Sequence, residues 1–315
     1  MNRRDFLAAA VVAPFALRSG RALAGGEPLA LVTADTESKI VAVSLSTGRI
    51  VRSIPTLAGP RSIEAIPGGG VAVVAHTAVG AVSVVDAREV RHVFHDFSEP
   101  RYTAAHPDGE HAYVTDSATS EVVAIAPAGN RIFGRAHVGG WARHLTIDAD
   151  GRTLWVGLGT ESEEVAVVDV SDPRRPRLVG KLRPPFRMHD VGFAPGAFWV
   201  TSGASRELAV YDRRGRIRLR LPAGAPPQHV TFGPGVAYVT SGPDGSFRVH
   251  SLRDGRLLRE TPVPRGSYNV QQGFGVVLTP SLDAGTLCVL GESGALRRRV
   301  RVAESSHDAC FLVSR

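Results

Sequence analysis

The sequence lacks several features that define other classes of protein. It contains no run of 18 apolar residues, which excludes a polytopic membrane protein, and no hydrophobic period of 3.6 residues, which excludes a solenoid of helical repeats. Aromatic residues make up only 6% of the chain. Turn-forming residues are abundant instead, with 34 glycines and 21 prolines among 315 residues. This composition favours many short strands joined by tight turns and predicts an all-β protein.

The first 24 residues have the order of a cleavable export signal. Arg3 and Arg4 precede a mildly apolar run over 7–17 and an Ala-Leu-Ala site at 22–24. An arginine pair followed by Phe-Leu resembles a twin-arginine signal. We therefore expect residues 1–24 to be removed and residues 25–315, folded before export, to reside outside the cytoplasmic membrane, in the periplasm or the medium, with no transmembrane span left after cleavage.

A repeat of about 41 residues fills the rest of the chain. Seven segments align, at 31–35, 73–76, 113–116, 154–157, 198–201, 238–241 and 277–280. Each unit contains four β-like runs, which in the third unit are predicted at 101–106, 111–115, 121–125 and 132–138. Four strands in a unit of this length are typical of a propeller blade, so we predict a single seven-bladed β-propeller with four antiparallel strands per blade.

The two ends of the chain predict how the ring closes. The runs at 29–33, 40–45 and 50–55 correspond to the outer three strands of a blade, and 308–313 corresponds to an innermost strand. The C-terminal strand should therefore join the N-terminal blade. Closure of this kind leaves no exposed edge around the ring.

The amino-acid sequence of the repeats resembles the YVTN-type β-propeller repeat. Tyr-Val-Thr-Asp at 113–116, Glu-Val-Val-Ala-Ile at 121–125 and Tyr-Val-Thr-Ser at 238–241 carry the resemblance, which extends over the whole mature chain. Ala75-His76 and Thr279-Pro280 depart from the Thr-Asn pair, and the Gly-His and Trp-Asp signatures of WD40 repeats are missing. The resemblance implies the architecture but no particular activity, because propellers host many functions.

Seven positions, one per repeat, align where each innermost strand begins, on the side of the ring that we call the top face. This ring consists of Ser62, Tyr102, His144, Asp190, His229, Asn269 and Asp308. Alternation along each strand turns these residues toward the central channel. Because a carboxylate beside a histidine sets its tautomer and raises its basicity, the candidate acid–base residues are His144, Asp190, His229, His307 and Asp308.

His144, Asp190 and His229 come from neighbouring blades and are also candidate ligands of a divalent metal. The alternative is that the ring residues are solvated or hydrogen-bonded to one another, as at the water-filled channel mouths of most propellers. No other cofactor is predicted, since the sequence has no zinc spacing of cysteines, haem-attachment motif, phosphate-binding loop or Gly-x-Ser-x-Gly elbow.

Arginines and aromatic residues surround the ring in the lead-in turns, the segments that enter the innermost strands. The candidate ligand-binding residues are Arg61, Arg101, Tyr102, Trp141, Arg143, His189, Tyr268 and Asn269. Arginine binds carboxylate or phosphate through two parallel hydrogen bonds, and Trp and Tyr often carry binding energy. These residues predict a funnel for a ligand with an anionic group and a flat apolar part. The alternative is that the arginines pair with nearby acids while the aromatic residues cap the blade tips.

Acidic residues occupy the outer top loops, among them Asp35, Glu37, Asp116 and Glu121. A nucleic-acid groove needs a continuous positive path, so nucleic acid is not expected as a partner. Cys288 and Cys310 are placed on a third strand and on the channel-facing side of an innermost strand. An exported protein could oxidise them, but this placement also suits two buried thiols, and both alternatives stay open.

Two functions of different classes remain. We favour an exported binding protein that uses the arginine, aromatic and histidine side chains of its top face to hold a partner protein or a small anionic ligand. The alternative is a propeller enzyme of lyase, hydrolase or lactonase type, with channel-mouth histidines and aspartates as acid–base residues or metal ligands. We expect a monomer in either case.

Overall fold

The computed structural model describes residues 26–68, 70–159 and 163–314. The predicted export signal, residues 1–24, lies outside the described residues. Within them the chain forms 28 β-strands in seven four-stranded antiparallel sheets, together with one short 3₁₀ turn at Thr77–Val79. The prediction of an all-β, seven-bladed propeller is confirmed. In this part of the chain, no helix has the length and apolar character needed to cross a membrane.

The strands are numbered in chain order, and those of each blade follow one another from the channel to the rim. Blade 1 contains β28 (Ala309–Val313), β1 (Pro28–Ala34), β2 (Lys39–Ser44) and β3 (Ile50–Pro55), and blade 2 contains β4 (Pro60–Ala65), β5 (Ala72–His76), β6 (Ala81–Val85) and β7 (Val90–Phe94). Blade 3 contains β8 (Pro100–Ala105), β9 (Ala112–Asp116), β10 (Glu121–Ala126) and β11 (Arg131–His137), and blade 4 contains β12 (Ala142–Ile147), β13 (Thr153–Leu158), β14 (Val165–Asp169) and β15 (Arg177–Leu182).

The last three blades complete the ring. Blade 5 contains β16 (Val191–Ala194), β17 (Ala197–Thr201), β18 (Glu207–Asp212) and β19 (Ile217–Pro222). Blade 6 contains β20 (Val230–Gly233), β21 (Val236–Ser241), β22 (Ser246–Ser251) and β23 (Leu257–Pro262). Blade 7 contains β24 (Gln271–Gly273), β25 (Val276–Ser281), β26 (Thr286–Gly291) and β27 (Leu296–Arg301).

The core lies between the blades rather than at the centre of the ring. The second and third strands are buried along their length, as in β5 and β6, whereas the outermost strand β27 is largely exposed. Side chains from neighbouring blades meet in common apolar clusters, one of which contains Leu31 of blade 1 and Ile63 of blade 2. This packing leaves the central channel for polar residues.

The ring closes as predicted. Strand β28 pairs antiparallel with β1, with Leu312 opposite Leu29. At the top end, the backbone N–H of Asp308 donates to Thr33 Oγ1 at 2.9 Å, and the N–H of Thr33 donates to the carbonyl of Asp308 at 2.9 Å. The C-terminal strand is therefore an integral part of blade 1.

The two cysteines are free and buried. Cys310 was expected on the channel-facing side of its strand, and this placement is wrong. Its side chain packs with Leu31 and Ile63 in the apolar cluster between blades 1 and 2, which suits a small, weakly polar thiol. Burial raises the pKa of both thiols.

Candidate functional site

A polar cavity of about 220 Å³ occupies the channel. The ring residues that line it are Ser62, Tyr102, His144, Asp190, His229, Asn269 and Asp308. A second layer, two residues further along the strands, contributes Glu64, Thr146 and Gln271. The structure therefore brings together the whole ring of top-face positions defined from the sequence alignment.

Threonines of the repeat hold the lead-in turns in place. Thr115 Oγ1, at the end of β9, donates to the carbonyl of Arg143 in the next blade at 2.7 Å and accepts from the N–H of Tyr102 in its own blade at 3.1 Å. Thr201 makes the same two bonds, to the carbonyl of Gln228 at 2.5 Å and from the N–H of Asp190 at 2.9 Å. One buried hydroxyl thus fixes two neighbouring lead-in turns, and with them the site residues.

Three histidines from blades 4, 5 and 6 meet at the top of the channel. The ring centroids of His144 and His189 are 4.6 Å apart, those of His144 and His229 are 4.7 Å apart, and those of His189 and His229 are 5.2 Å apart. The rings are tilted or perpendicular rather than stacked. One nitrogen of each ring lies within 4.8 Å of the other two. We call these three residues the histidine cluster.

Local backbone features aim two of these side chains. A β-bulge lies between Ala142 and Leu145, so that Arg143 and His144 both become buried at the mouth of the channel. His189 lies in the turn before β16, where its N–H donates to the carbonyl of Thr201 at 2.8 Å. Its Cβ packs against Gly203, which has a φ of 69°, and a Cβ at that glycine would come within 2.7 Å of it.

The histidine cluster is neutral in large part. Burial lowers the pKa of His144 and of His189 well below the usual range, and the neighbouring histidines and Arg143 add to the effect. Neither Nδ1 nor Nε2 of His144 has a hydrogen-bond partner among the described residues, although both atoms are buried. A neutral imidazole in this position offers a lone pair that no donor in the described part of the chain uses.

Asp190 supports the cluster from outside rather than joining it. Its Oδ2 lies 3.3 Å from His229 Nδ1 and accepts from the N–H of Val230 at 3.1 Å. The sequence had grouped His144, Asp190 and His229 as candidate metal ligands, but the structure groups His144 and His229 with His189. Asp190 instead contacts Nδ1 of His229, a position from which a carboxylate can orient the ring.

The remaining acid–base candidates are tied to the backbone of blade 2. His307 Nδ1 lies 2.9 Å from the carbonyl of Arg61, and Asn269 Nδ2 donates to the carbonyl of His307 at 2.7 Å. Asp308 Oδ2 accepts from the N–H of Ile63 at 3.1 Å. Burial raises the pKa of Asp308 to about 6 and lowers that of His307 well below its usual range. These bonds hold the closing blade against its neighbour.

Two arginines enclose Trp141 beside the ring. The guanidinium carbon of Arg101 lies 4.7 Å from the Trp141 ring centroid, and that of Arg143 lies 5.6 Å from it. Glu99, which sequence reasoning missed, forms an ion pair with Arg101 and accepts from Trp141 Nε1 at 3.1 Å. Its position one residue before a lead-in turn was the only signal of this role.

Arg61, Arg101 and Arg143 lie close together in this region. Arg143 is only 9% exposed, and burial lowers its pKa, with Arg61 and Arg101 adding to the effect. Arg61 has no carboxylate within 4 Å among the described residues, and its Nε is buried without a hydrogen-bond partner there. Tyr268 lies elsewhere on the face: its ring packs on Gly242. We call Arg61, Arg101, Trp141 and Arg143 the arginine cluster.

Glu64 is a second residue that sequence reasoning left without a role. It lines the cavity, and Gln271 Nε2 donates to its Oε2 at 3.2 Å. Burial, together with the nearby Asp308 carboxyl, raises the pKa of Glu64 to about 8. The signal was present in the alternation along β4, because Glu64 follows the ring residue Ser62 by two positions.

The fold and the site define a seven-bladed β-propeller with a histidine and arginine lined channel mouth. No protein-family model matches the sequence, and no curated protein matches it at a significant level. Among solved structures, a chain of hydrazine synthase from Kuenenia stuttgartiensis is similar, with a TM-score of 0.75 at 16% identity over 84% of this chain and 92% of that one. A similarity at this identity shows the fold alone.

Proposed function

We propose that the protein is an exported binding protein that holds a small carboxylate or phosphate anion on its top face, through Arg61 and Arg143. The observation that carries the proposal is Arg61 of the arginine cluster, which has no carboxylate within 4 Å among the described residues and whose Nε is buried there without a hydrogen-bond partner. Three arginines lie together there, and Glu99 is paired with Arg101. Buried charge is costly unless an opposite charge accompanies it, so an anion would stabilise this arrangement. Export rests on the arginine pair and the Ala-Leu-Ala site at the N-terminus.

The depth of the arginines favours a small ligand over a partner protein. Arg143 is buried, whereas Arg187 and Arg265, on other lead-in turns of the same face, are exposed. A protein surface would contact the exposed pair first, but only a small group can reach the buried one. A carboxylate or phosphate accepts two parallel hydrogen bonds from one guanidinium, which suits this geometry.

Acid–base catalysis by the histidines is the weaker alternative. A general acid must carry a proton at the working pH. Burial holds the pKa of His144, His189 and His307 well below the usual range, so each of these rings is neutral near pH 7. These rings are therefore poor general acids, but a neutral imidazole can still accept a proton, so the preference for binding rests on the arginine cluster.

Isothermal titration of the full chain with inorganic phosphate, oxalate and benzoate tests the proposal. We expect saturable binding of at least one anion, weakened about 10- to 100-fold by Arg61→Gln, which removes one charged hydrogen-bonding partner. Arg187→Gln is the matched control, since it removes an exposed arginine from a lead-in turn two blades away from that of Arg101. Equal losses in the two variants, or no binding of any of the three anions, would overturn the proposal.

A further inference from the structure

We infer that the histidine cluster is a binding site for a transition-metal ion that prefers imidazole ligands, zinc(II) or copper(II), with His144, His189 and His229 as the three protein ligands. The inference goes beyond anion binding by the arginines and rests on different residues. Its first support is convergence. Three side chains from three separate blades place one nitrogen each within 4.8 Å of the other two.

The separation of the nitrogens is close to what coordination requires. Nitrogens that bind a tetrahedral zinc ion at about 2.0–2.1 Å lie roughly 3.4 Å from one another. Small rotations of the imidazoles about their side-chain torsions would close the remaining gap. Rings that are tilted or perpendicular can point their lone pairs at a common centre, whereas stacked rings cannot. The angles between the ring planes are 42°, 73° and 89°, so the three rings are tilted or perpendicular to one another.

The second support is that neither ring nitrogen of His144 has a hydrogen-bond partner among the described residues. Both of these nitrogens are buried. Leaving a buried polar atom unsatisfied costs about 1–3 kcal/mol, and native structures rarely do so. A metal ion bound to one nitrogen would account for the burial of this ring at the meeting point of two other histidines.

The third support is the carboxylate behind His229. Asp190 lies 3.3 Å from Nδ1 of that ring and is itself held by the N–H of Val230. A histidine that binds metal through one nitrogen commonly donates its other N–H to a carboxylate, which fixes the tautomer and the ring orientation. Asp190 is therefore a positioning residue rather than a ligand.

Three neutral imidazoles leave at least one coordination position for water or an anion. The arginines nearby would favour an anion there, because Arg143 and Arg61 act electrostatically on His144. The metal site and the proposed anion site would then be neighbours on the same face. Metal binding itself does not require the anion, so the two can be tested separately.

The experiment is a titration of chelator-treated full-length protein with Zn(II) and with Cu(II) alone, in buffer without coordinating anions. We expect one ion per chain, with affinity reduced more than about 100-fold by alanine at any one of the three histidines and about 10- to 100-fold by Asp190→Asn. His137→Ala is the matched control, because His137 is an exposed histidine of β11 outside the cluster, and it should bind as the unaltered protein does.

Two further measurements keep the result clear if a variant folds poorly. Electron paramagnetic resonance of the Cu(II) form of the unaltered protein should show hyperfine coupling to three imidazole nitrogens. Zn(II) should also raise the melting temperature of the unaltered and His137→Ala proteins but not of His144→Ala. Binding that survives in all three alanine variants, loss of binding in His137→Ala, or a copper spectrum with fewer than three nitrogens would overturn the inference. Retained anion binding in the same sample would leave the proposed function standing.

Discussion

Glu64 shows how a single side chain in the channel can make the stability of the whole ring depend on pH. Its carboxyl lines the cavity beside Asp308, and burial raises its pKa to about 8. A pKa that is higher in the folded state than in the unfolded chain means that the folded state holds the proton more tightly. The stabilisation is therefore complete below the unfolded pKa of 4.5 and is lost as the pH rises through about 8.

We expect Glu64→Gln, which resembles the protonated form, to remove this part of the pH dependence. Between pH 7 and pH 9 the unaltered protein should lose about 1 kcal/mol of unfolding free energy that the variant keeps, since one pKa unit corresponds to about 1.4 kcal/mol and water in the cavity reduces the effect. This window lies above the pKa of about 6 for Asp308. Chemical denaturation followed by tryptophan fluorescence measures the unfolding free energy at each pH. Glu110→Gln, at an exposed position, is the control. Parallel pH profiles for Glu64→Gln and the unaltered protein would contradict the assignment.

His189 illustrates why the composition of the histidine cluster was not predicted. The alignment placed Asp190 in the ring of top-face positions. The structure agrees, because Asp190 lines the cavity. His189 precedes it in an irregular turn, and strand alternation does not define where a side chain in a turn points. The bond of its N–H to the Thr201 carbonyl and the close packing of its Cβ against Gly203 place His189 beside His144.

At the level of elements, the repeat itself builds the site. A threonine near the end of the second strand is part of the pattern that identified the blades, and in blades 3 and 5 its hydroxyl bonds to the lead-in turns of two neighbouring blades. The same residues therefore predicted the fold and position the candidate ligands. What the pattern could not reveal are the bulges at the start of β4, β8 and β12, where register shifts bring consecutive residues such as Arg143 and His144 to the channel mouth.

Thr115→Val tests this positioning role. Valine has nearly the shape of threonine but leaves the carbonyl of Arg143 and the N–H of Tyr102 without the hydroxyl, both in a buried environment. We expect a loss of about 1–3 kcal/mol in unfolding free energy, together with weaker anion binding, because Arg143 is no longer fixed. Thr115→Ser keeps the hydroxyl, so it should lose less unfolding free energy and less affinity for the anion than Thr115→Val does. Denaturation and titration of the two variants side by side decide the point, and equal behaviour of Val and Ser would show that packing alone matters.

At the scale of the whole molecule, the sequence was sufficient for the fold. The predicted strands of blade 3 agree with β8–β11 to within a residue or so at their ends. The period is the reason: seven similar units must stack in a ring to bury their apolar faces, and each unit repeats the same turn and strand signals. The residues of the candidate site leave no such periodic signal. Each of them occurs in one blade only, so the other repeats do not contain an equivalent that would identify it.

Closure of the ring by β28 makes the last eight residues essential to the whole propeller. Removing residues 308–315 would take away the partner of β1 and expose the apolar residues Leu29 and Leu31, which pack beneath it. It would also remove Asp308, which bonds to the N–H of Ile63 in blade 2 and so joins two blades. A domain with a typical stability of about 5–15 kcal/mol cannot lose a complete innermost strand without opening.

We therefore expect the truncated chain to lose its cooperative thermal transition and to elute as an expanded species in size-exclusion chromatography. A synthetic peptide of residues 306–315 should restore compactness in a concentration-dependent manner, because it can add to the free edge of β1 as the native strand does. Asp308→Asn in the intact chain separates the two contributions, since it keeps the strand and changes only the carboxylate. A truncated chain with an unchanged melting temperature would mean that three strands suffice for blade 1, and closure would then have to come from apolar packing between blades 1 and 7, which share their own buried cluster.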